Sequence, residues 1–253
     1  MVELLFWPAL VAYGEAAVAY AGETRRPGLF GRQAIWGVRV GWLAQTALLV
    51  AQAARADGFP WSSWGGALNL FSWLVVTTYL LYGSRPRFGL LGLGVMPAAA
   101  VLLALAYAGG GIGEGGDHPG ALLALHVVFM LGAFAGLTLA AALAAFYLWH
   151  ERRLKRREPR ILRLTVPPLE SLERLNARTV AVSVGVLTAG IAFGLARLAA
   201  LERGIDAAMA VSFAAWAIYA AAVLARLHGR RLARATLLGF VVVVAVLPIT
   251  HFA

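Results

Sequence analysis

Eight apolar stretches recur along the chain, at 4–22, 33–54, 65–82, 88–109, 121–149, 179–200, 207–226 and 233–251. Each is close to the roughly 20 residues that a helix needs to cross a lipid hydrocarbon core. No other feature constrains the fold so tightly. A bilayer has no water to satisfy backbone N–H and C=O groups, so each stretch must close its hydrogen bonds within a helix or a closed barrel. The runs carry no Asn-Gly or Asp-Gly hairpin pairs and do not alternate as barrel strands do. The sequence therefore predicts an all-α fold, a multispanning transmembrane bundle of eight helices. It reads as a single integral membrane domain over 1–253, with a basic connection at 150–178. The first run lacks a basic leader and a small-residue cleavage site, so it reads as a retained span.

Composition agrees. The chain is 61% hydrophobic and only 13% charged, too little charge to cover the surface of a soluble domain. Its net charge of +10 would suit a nucleic-acid surface, but the placement of that charge argues for membrane topology instead. Arg25, Arg26 and Arg32 fill the first loop, Arg85 and Arg87 the third. HERRLKRREPRILRLTVPPLESLERLNAR, the fifth, holds nine basic residues, and ARLHGRRLARA, the seventh, is basic again. The intervening loops are nearly neutral or, as in GGGIGEGGDHPG, acidic. Positive charge in every second loop is the positive-inside pattern. It predicts both termini outside, a multi-pass protein of a bacterial cytoplasmic membrane, basic loops facing anionic lipid, and no nucleic-acid partner.

The chain has no cysteine. Disulfides, thiol relays, iron–sulfur ligation and covalent Cys-x-x-Cys-His haem attachment are therefore excluded for it.

Charges inside spans are costly and point to pairing or function. Glu15 and Arg39 lie at similar distances from the first loop, so the sequence predicts that they pair across the first two spans. Arg197, near the far end of the sixth span, either snorkels to the interface or holds an anionic ligand group such as a haem propionate.

Five histidines are present. His150 and His228 fall in inner basic clusters and His118 in the acidic loop, where they read as solvated or lipid-facing. His126, in ALLALHVVFMLGAFAGL, and His251, at the end of VVVVAVLPITHFA, stand in apolar sequence. The charge map puts both at the outer face, on different helices. A bundle supplies two axial imidazoles to a haem in this way, and an interfacial histidine is the plainer alternative. Zinc ranks low, because only His118, Asp117 and Glu114 stand near as further ligands.

Several stretches resemble a known family. GWLAQTALLVAQAARADGFPWSSWGGALNLFSWLVV, LHVVFMLGAFAGLTLAAALAAFYLWHERRLK, PPLESLERLNARTVAVSVGVLTAGIAFG and FAAWAIYAAAVLARLHGRR occur in the order and spacing of the CcsA/ResC cytochrome c assembly proteins, and within them of the HemX/YpjD branch. The resemblance implies that His126 and His251 are the external haem ligands. It also makes Asp206 the remnant of an Asp-Pro-Lys-Glu motif whose other residues are here Ala207, Ala208 and Met209. The family's deeper histidine pair corresponds to Gln45 and Leu224, neither of which ligates iron, and Gly66 replaces an acidic residue at the third span. The resemblance thus implies one outer haem site, without a second haem deeper in the membrane.

The expected function is a membrane haem-binding protein for haem handling or cytochrome c maturation, with one haem b. His126 and His251 are its metal ligands, and Arg197, Asp206, Trp61 and Trp64 line it; the plainer reading of the two tryptophans is as interfacial belt anchors. The alternatives are quinol-linked electron transfer through the same haem, or a haem-free regulator that docks a haem-biosynthesis enzyme on loop 150–178. There Leu169, Leu172 and Leu175 share one face of a surface-lying helix. All three are handling, transfer or docking roles rather than enzymatic catalysis. Possible partners are membrane lipid, haem, quinol and a cytochrome c assembly partner.

Overall fold

The computed structural model describes residues 2–26, 28–55, 60–61, 63–82, 89–110, 120–157, 167–201 and 207–252, with backbone alone at 2–3, 24–25, 82, 90, 201, 207–208 and 245–252. Among the described residues every regular element is a helix: α1 (Val2–Arg25), α2 (Gly31–Arg55), α3 (Trp64–Tyr82), α4 (Gly89–Ala108), α5 (Ala121–Lys155), α6 (Leu169–Leu201), α7 (Ala207–Leu224) and α8 (Gly229–Phe252). Six of them, α1 to α6, are long and apolar enough to cross a membrane, and Met209–Leu224 of α7 is a shorter apolar helix. The chain is a multi-pass membrane protein.

The helices form two compact units, α1–α4 and α5–α8. In the first, α1 packs against α2 and α4, and α3 against α4 and α2. Lipid is as apolar as leucine, so helices in a membrane associate through close backbone approach and shared hydrogen bonds. Both devices are present. Gly37 faces α1 so closely that a Cβ would lie 3.2 Å from the Ala12 carbonyl oxygen, and one on Gly41 would lie 2.6 Å from the Tyr13 ring.

Four buried polar side chains cross the interior of this unit. The Tyr13 hydroxyl donates to Gln45 Oε1 at 2.7 Å. Gln45 Nε2 donates to Asn69 Oδ1 at 3.0 Å and to the Asn69 carbonyl at 3.1 Å. Asn69 Nδ2 donates to Gln52 Oε1 at 2.8 Å. Beside this chain α2 and α3 exchange reciprocal bonds. Trp42 Nε1 donates to Thr77 Oγ1 and Trp73 Nε1 to Thr46 Oγ1, both at 2.8 Å, with the indoles stacked 5.9 Å apart. Each threonine hydroxyl passes its own proton to the carbonyl of the tryptophan one turn back.

In the second unit α5 packs against α6 and α8, and α7 against α8 and α6. Gly136 presses on the Ser183 hydroxyl, and a Cβ on Gly190 would lie 3.1 Å from the backbone nitrogen of Met130. Both α5 and α6 outrun their apolar runs. At about 1.5 Å per residue, the 35 residues of α5 are far longer than the hydrocarbon core. Residues 150–155 and 169–178 of the basic connection are thus helical continuations. The surface-lying helix expected there is instead the first turns of α6. Leu172, Asn176 and Val180 are buried at helical spacing, a stripe that runs on into the span and ties the segment to the bundle.

Replacing Gly136 with valine is expected to lower stability by about 1–3 kcal/mol through overpacking. Gly132→Ala, where the nearest atom is Val186 Cγ1 at 3.9 Å, is expected to be neutral. Thermal denaturation in detergent, followed by loss of the monodisperse peak, separates the two. Asn69→Leu removes the side-chain bonds that Asn69 makes with Gln45 Nε2 and Gln52 Oε1, while the backbone carbonyl at 69 still accepts from Gln45. It is expected to destabilise by about 1–3 kcal/mol, more than the volume change alone, and the same assay reads it.

Candidate functional site

His126 lies in the second turn of α5 and is half-buried. Its Nδ1 is 2.8 Å from the Gly190 carbonyl oxygen on α6. A carbonyl only accepts, so Nδ1 carries a proton, and Nε2 is the ring nitrogen left for a further partner. Histidines that ligate metals are commonly held in this way, by an acceptor that fixes the tautomer and raises the basicity of the other ring nitrogen. The cradle is built from glycine. A Cβ on Gly194 would lie 2.8 Å from both Cε1 and Nδ1 of the ring. Gly190 and Gly194, one turn apart, leave a flat strip of backbone on which the imidazole rests. Phe129 and Phe193 pack with ring centroids 5.3 Å apart.

Arg197 is half-buried and lies one turn beyond Gly194, on the helix face that carries the ring. Around His126 the α5 surface is apolar and open, with Leu122, Leu125 and Val128 37–42% exposed. An open apolar strip, a basic side chain and an oriented imidazole match the chemistry of a porphyrin, which is flat, apolar and edged by carboxylates.

At their other ends α5 and α8 are joined by Glu151 and Arg230, 3.5 Å apart, and by Tyr147, whose hydroxyl would lie 3.2 Å from a Cβ on Gly229. Successive helices of the unit alternate in direction, so α8 runs antiparallel to α5. Counting equal numbers of residues from Tyr147 back along α5 and from Gly229 forward along α8 reaches Leu125 and His251. The His251 side chain, Asp206 and His118 lie outside the described residues. Trp61 and Trp64 belong to the first unit, where the Trp64 ring lies over Gly109.

Gly66 has no room for a side chain. A Cβ there would collide with the Pro60 carbonyl oxygen, and the Gly66 N–H donates to Ser63 Oγ at 3.1 Å, tying in the start of α3. Leu224 is 82% exposed at the end of α7.

Two expectations are corrected. Glu15 and Arg39 do not pair within the chain. Gln33 Nε2 donates to Glu15 Oε1 at 2.8 Å, while the Arg39 guanidinium lies over the Trp36 ring. Gly37 and Gly41 face α1, and Arg39, between them, is about half a helical turn away, on the opposite side of α2. His150 is not solvated. It is 7% exposed and stacks on Phe146, with Nδ1 lacking a partner. Its position follows from the continuation of α5, which carries the buried stripe past the apolar run.

The fold and this site define a class: a polytopic helical membrane protein with a half-buried imidazole near the start of α5 whose Nδ1 is held by a backbone carbonyl of α6. Residues 61–252 match the family described as cytochrome c assembly protein, and the chain belongs to that family. It is also 33% identical over 147 residues to an uncharacterized 28.8 kDa protein in a nifR3-like 5′ region of Azospirillum brasilense, covering 54% of this chain and 53% of that protein. The chain thus aligns with about half the length of that relative. No solved structure matches it.

A side chain at Gly194 is expected to push the imidazole off the Gly190 carbonyl. In Gly194→Leu protein labelled with ¹⁵N-histidine, the His126 nitrogen shifts are expected to move from a single Nδ1-protonated tautomer to a mixture. Gly185→Leu, where a Cβ meets nothing within 4 Å, is expected to leave them unchanged.

Proposed function

We propose that this protein is a haem-handling membrane protein of the HemX/YpjD type in cytochrome c assembly, resident in a bacterial cytoplasmic membrane with both termini outside. One haem b sits near the outer face. His126 and His251 would hold its iron, Arg197 would neutralise one of its carboxylates, and Asp206 is proposed for the same site. The observation that carries this reading is the His126 Nδ1 contact with the Gly190 carbonyl, which leaves Nε2 free for iron. Family membership supports it independently.

Haem held by His126 and His251 would supply an iron centre suited to holding or electron exchange. The chain's own residues do the rest. Gly190 fixes the tautomer of His126, Gly194 gives the ring its seat, and the apolar α5 surface excludes water. The Arg197 guanidinium neutralises a carboxylate.

Gln45 and Leu224 leave no second ligand pair deeper in the membrane. Gln45 has both its amide groups committed to Tyr13 and Asn69. The reading is therefore a single-site haem holder.

Protein purified from haem-replete membranes is expected to show a b-type Soret band with about one haem per chain. His126→Ala and His251→Ala are each expected to weaken haem retention by about 10–100-fold. If wild-type protein binds haem and neither substitution alters the spectrum, the ligand assignment is wrong. Wild-type protein that never acquires a Soret band would overturn the reading as a whole.

A further inference from the structure

The rejected Glu15–Arg39 pair leaves two opposite charges on the outside of the α1–α2 hairpin. Both side chains are exposed. Both are at the same depth, because Gly37 meets Ala12 and Ala16 while Gly41 meets Ala12 and Tyr13, and Arg39 stands midway between the two glycines. Gln33 donates one hydrogen bond to the Glu15 carboxylate, and Arg39 has the face of Trp36, 5.4 Å from the ring centroid. Among the described residues neither has an ion-pair partner. Charges within a membrane span almost always face protein or water rather than lipid, because hydrocarbon solvates them poorly.

The surroundings are apolar. Val11, Val18, Trp36, Val40 and Leu43 are 51–73% exposed on the same hairpin.

We propose that this face is the interface of a homodimer, in which Glu15 of each protomer pairs with Arg39 of the partner subunit. A two-fold axis along the membrane normal relates identical residues at identical depth, so a patch carrying one acid and one base at one depth is complementary to itself. Each contact is made twice. A heterologous partner would need the opposite arrangement, whereas a second copy has it already.

Charge reversal tests this directly. Wild-type protein reconstituted in bilayers at limiting dilution is expected to be dimeric by single-molecule photobleaching. Glu15→Arg and Arg39→Glu are each expected to lower dimer association about tenfold or more, since like charges then meet across the axis. Mixed together they are expected to form heterodimers, seen as two-colour co-localisation, because each pair then joins opposite charges again. The doubly reversed chain is expected to dimerise alone. Heterodimer formation also shows that each single variant is folded. Monomeric wild-type protein, dimeric single variants, or a mixture and a double variant that both stay monomeric would each overturn the proposal. Capture of a different membrane protein by a monomeric wild type would assign the face to that protein instead.

Discussion

Two helices in a membrane gain little by hiding apolar surface from lipid, so how closely their backbones approach decides whether they hold together. In the α5–α6 pair that approach rests on glycine. Gly136 admits Ser183, Gly190 admits the backbone of Met130, and Gly194 admits the His126 ring. The contact that builds the second unit is also the one that orients the imidazole. Were α6 a turn of leucine at this point, the Gly190 carbonyl would be out of reach, and His126 would keep neither its tautomer nor its direction. Fold and site therefore share one constraint.

The first unit uses the other device open to membrane helices. Its Tyr13–Gln45–Asn69–Gln52 chain is fully buried and links three helices by amide and hydroxyl groups. Apolar packing slides easily, whereas directional bonds between buried polar groups fix one register, because slippage would leave donors and acceptors unpaired in a poor solvent for them. The symmetrical Trp42–Thr77 and Trp73–Thr46 exchange reinforces that register. At Gln45, where the family resemblance would place a histidine, the side chain is given over to this bracing.

Most of the helical framework can be read from the sequence, since apolar length and self-satisfied backbone leave few choices. The runs at 65–82 and 88–109 differ by a residue or so from α3 and α4. Rotation about each helix axis is harder to read. Glu15 and Arg39 were expected at one depth and are at one depth, yet the glycines at 37 and 41 turn Arg39 away from α1. In an almost uniformly apolar helix the hydrophobic pattern does not say which stripe faces the neighbour; here the small residues do. The same gap hid the seat of His126. The histidine stands out in ALLALHVVFMLGAFAGL, whereas its partners are two glycines 64 and 68 positions away, in GVLTAGIAFGLARL. Charge marked the end of the membrane more sharply than the end of the helix, so α5 and α6 outran their expected bounds, and His150 went into the bundle with them.

The proposed role of His126 is to hold haem iron through Nε2, together with His251. Low-temperature electron paramagnetic resonance of the ferric protein tests it most directly. Two imidazole ligands give a low-spin ferric signal. Loss of one imidazole, in His126→Gly, gives a high-spin signal that added imidazole returns to low spin. A wild-type high-spin signal, or a low-spin signal unchanged in His126→Gly, would contradict it.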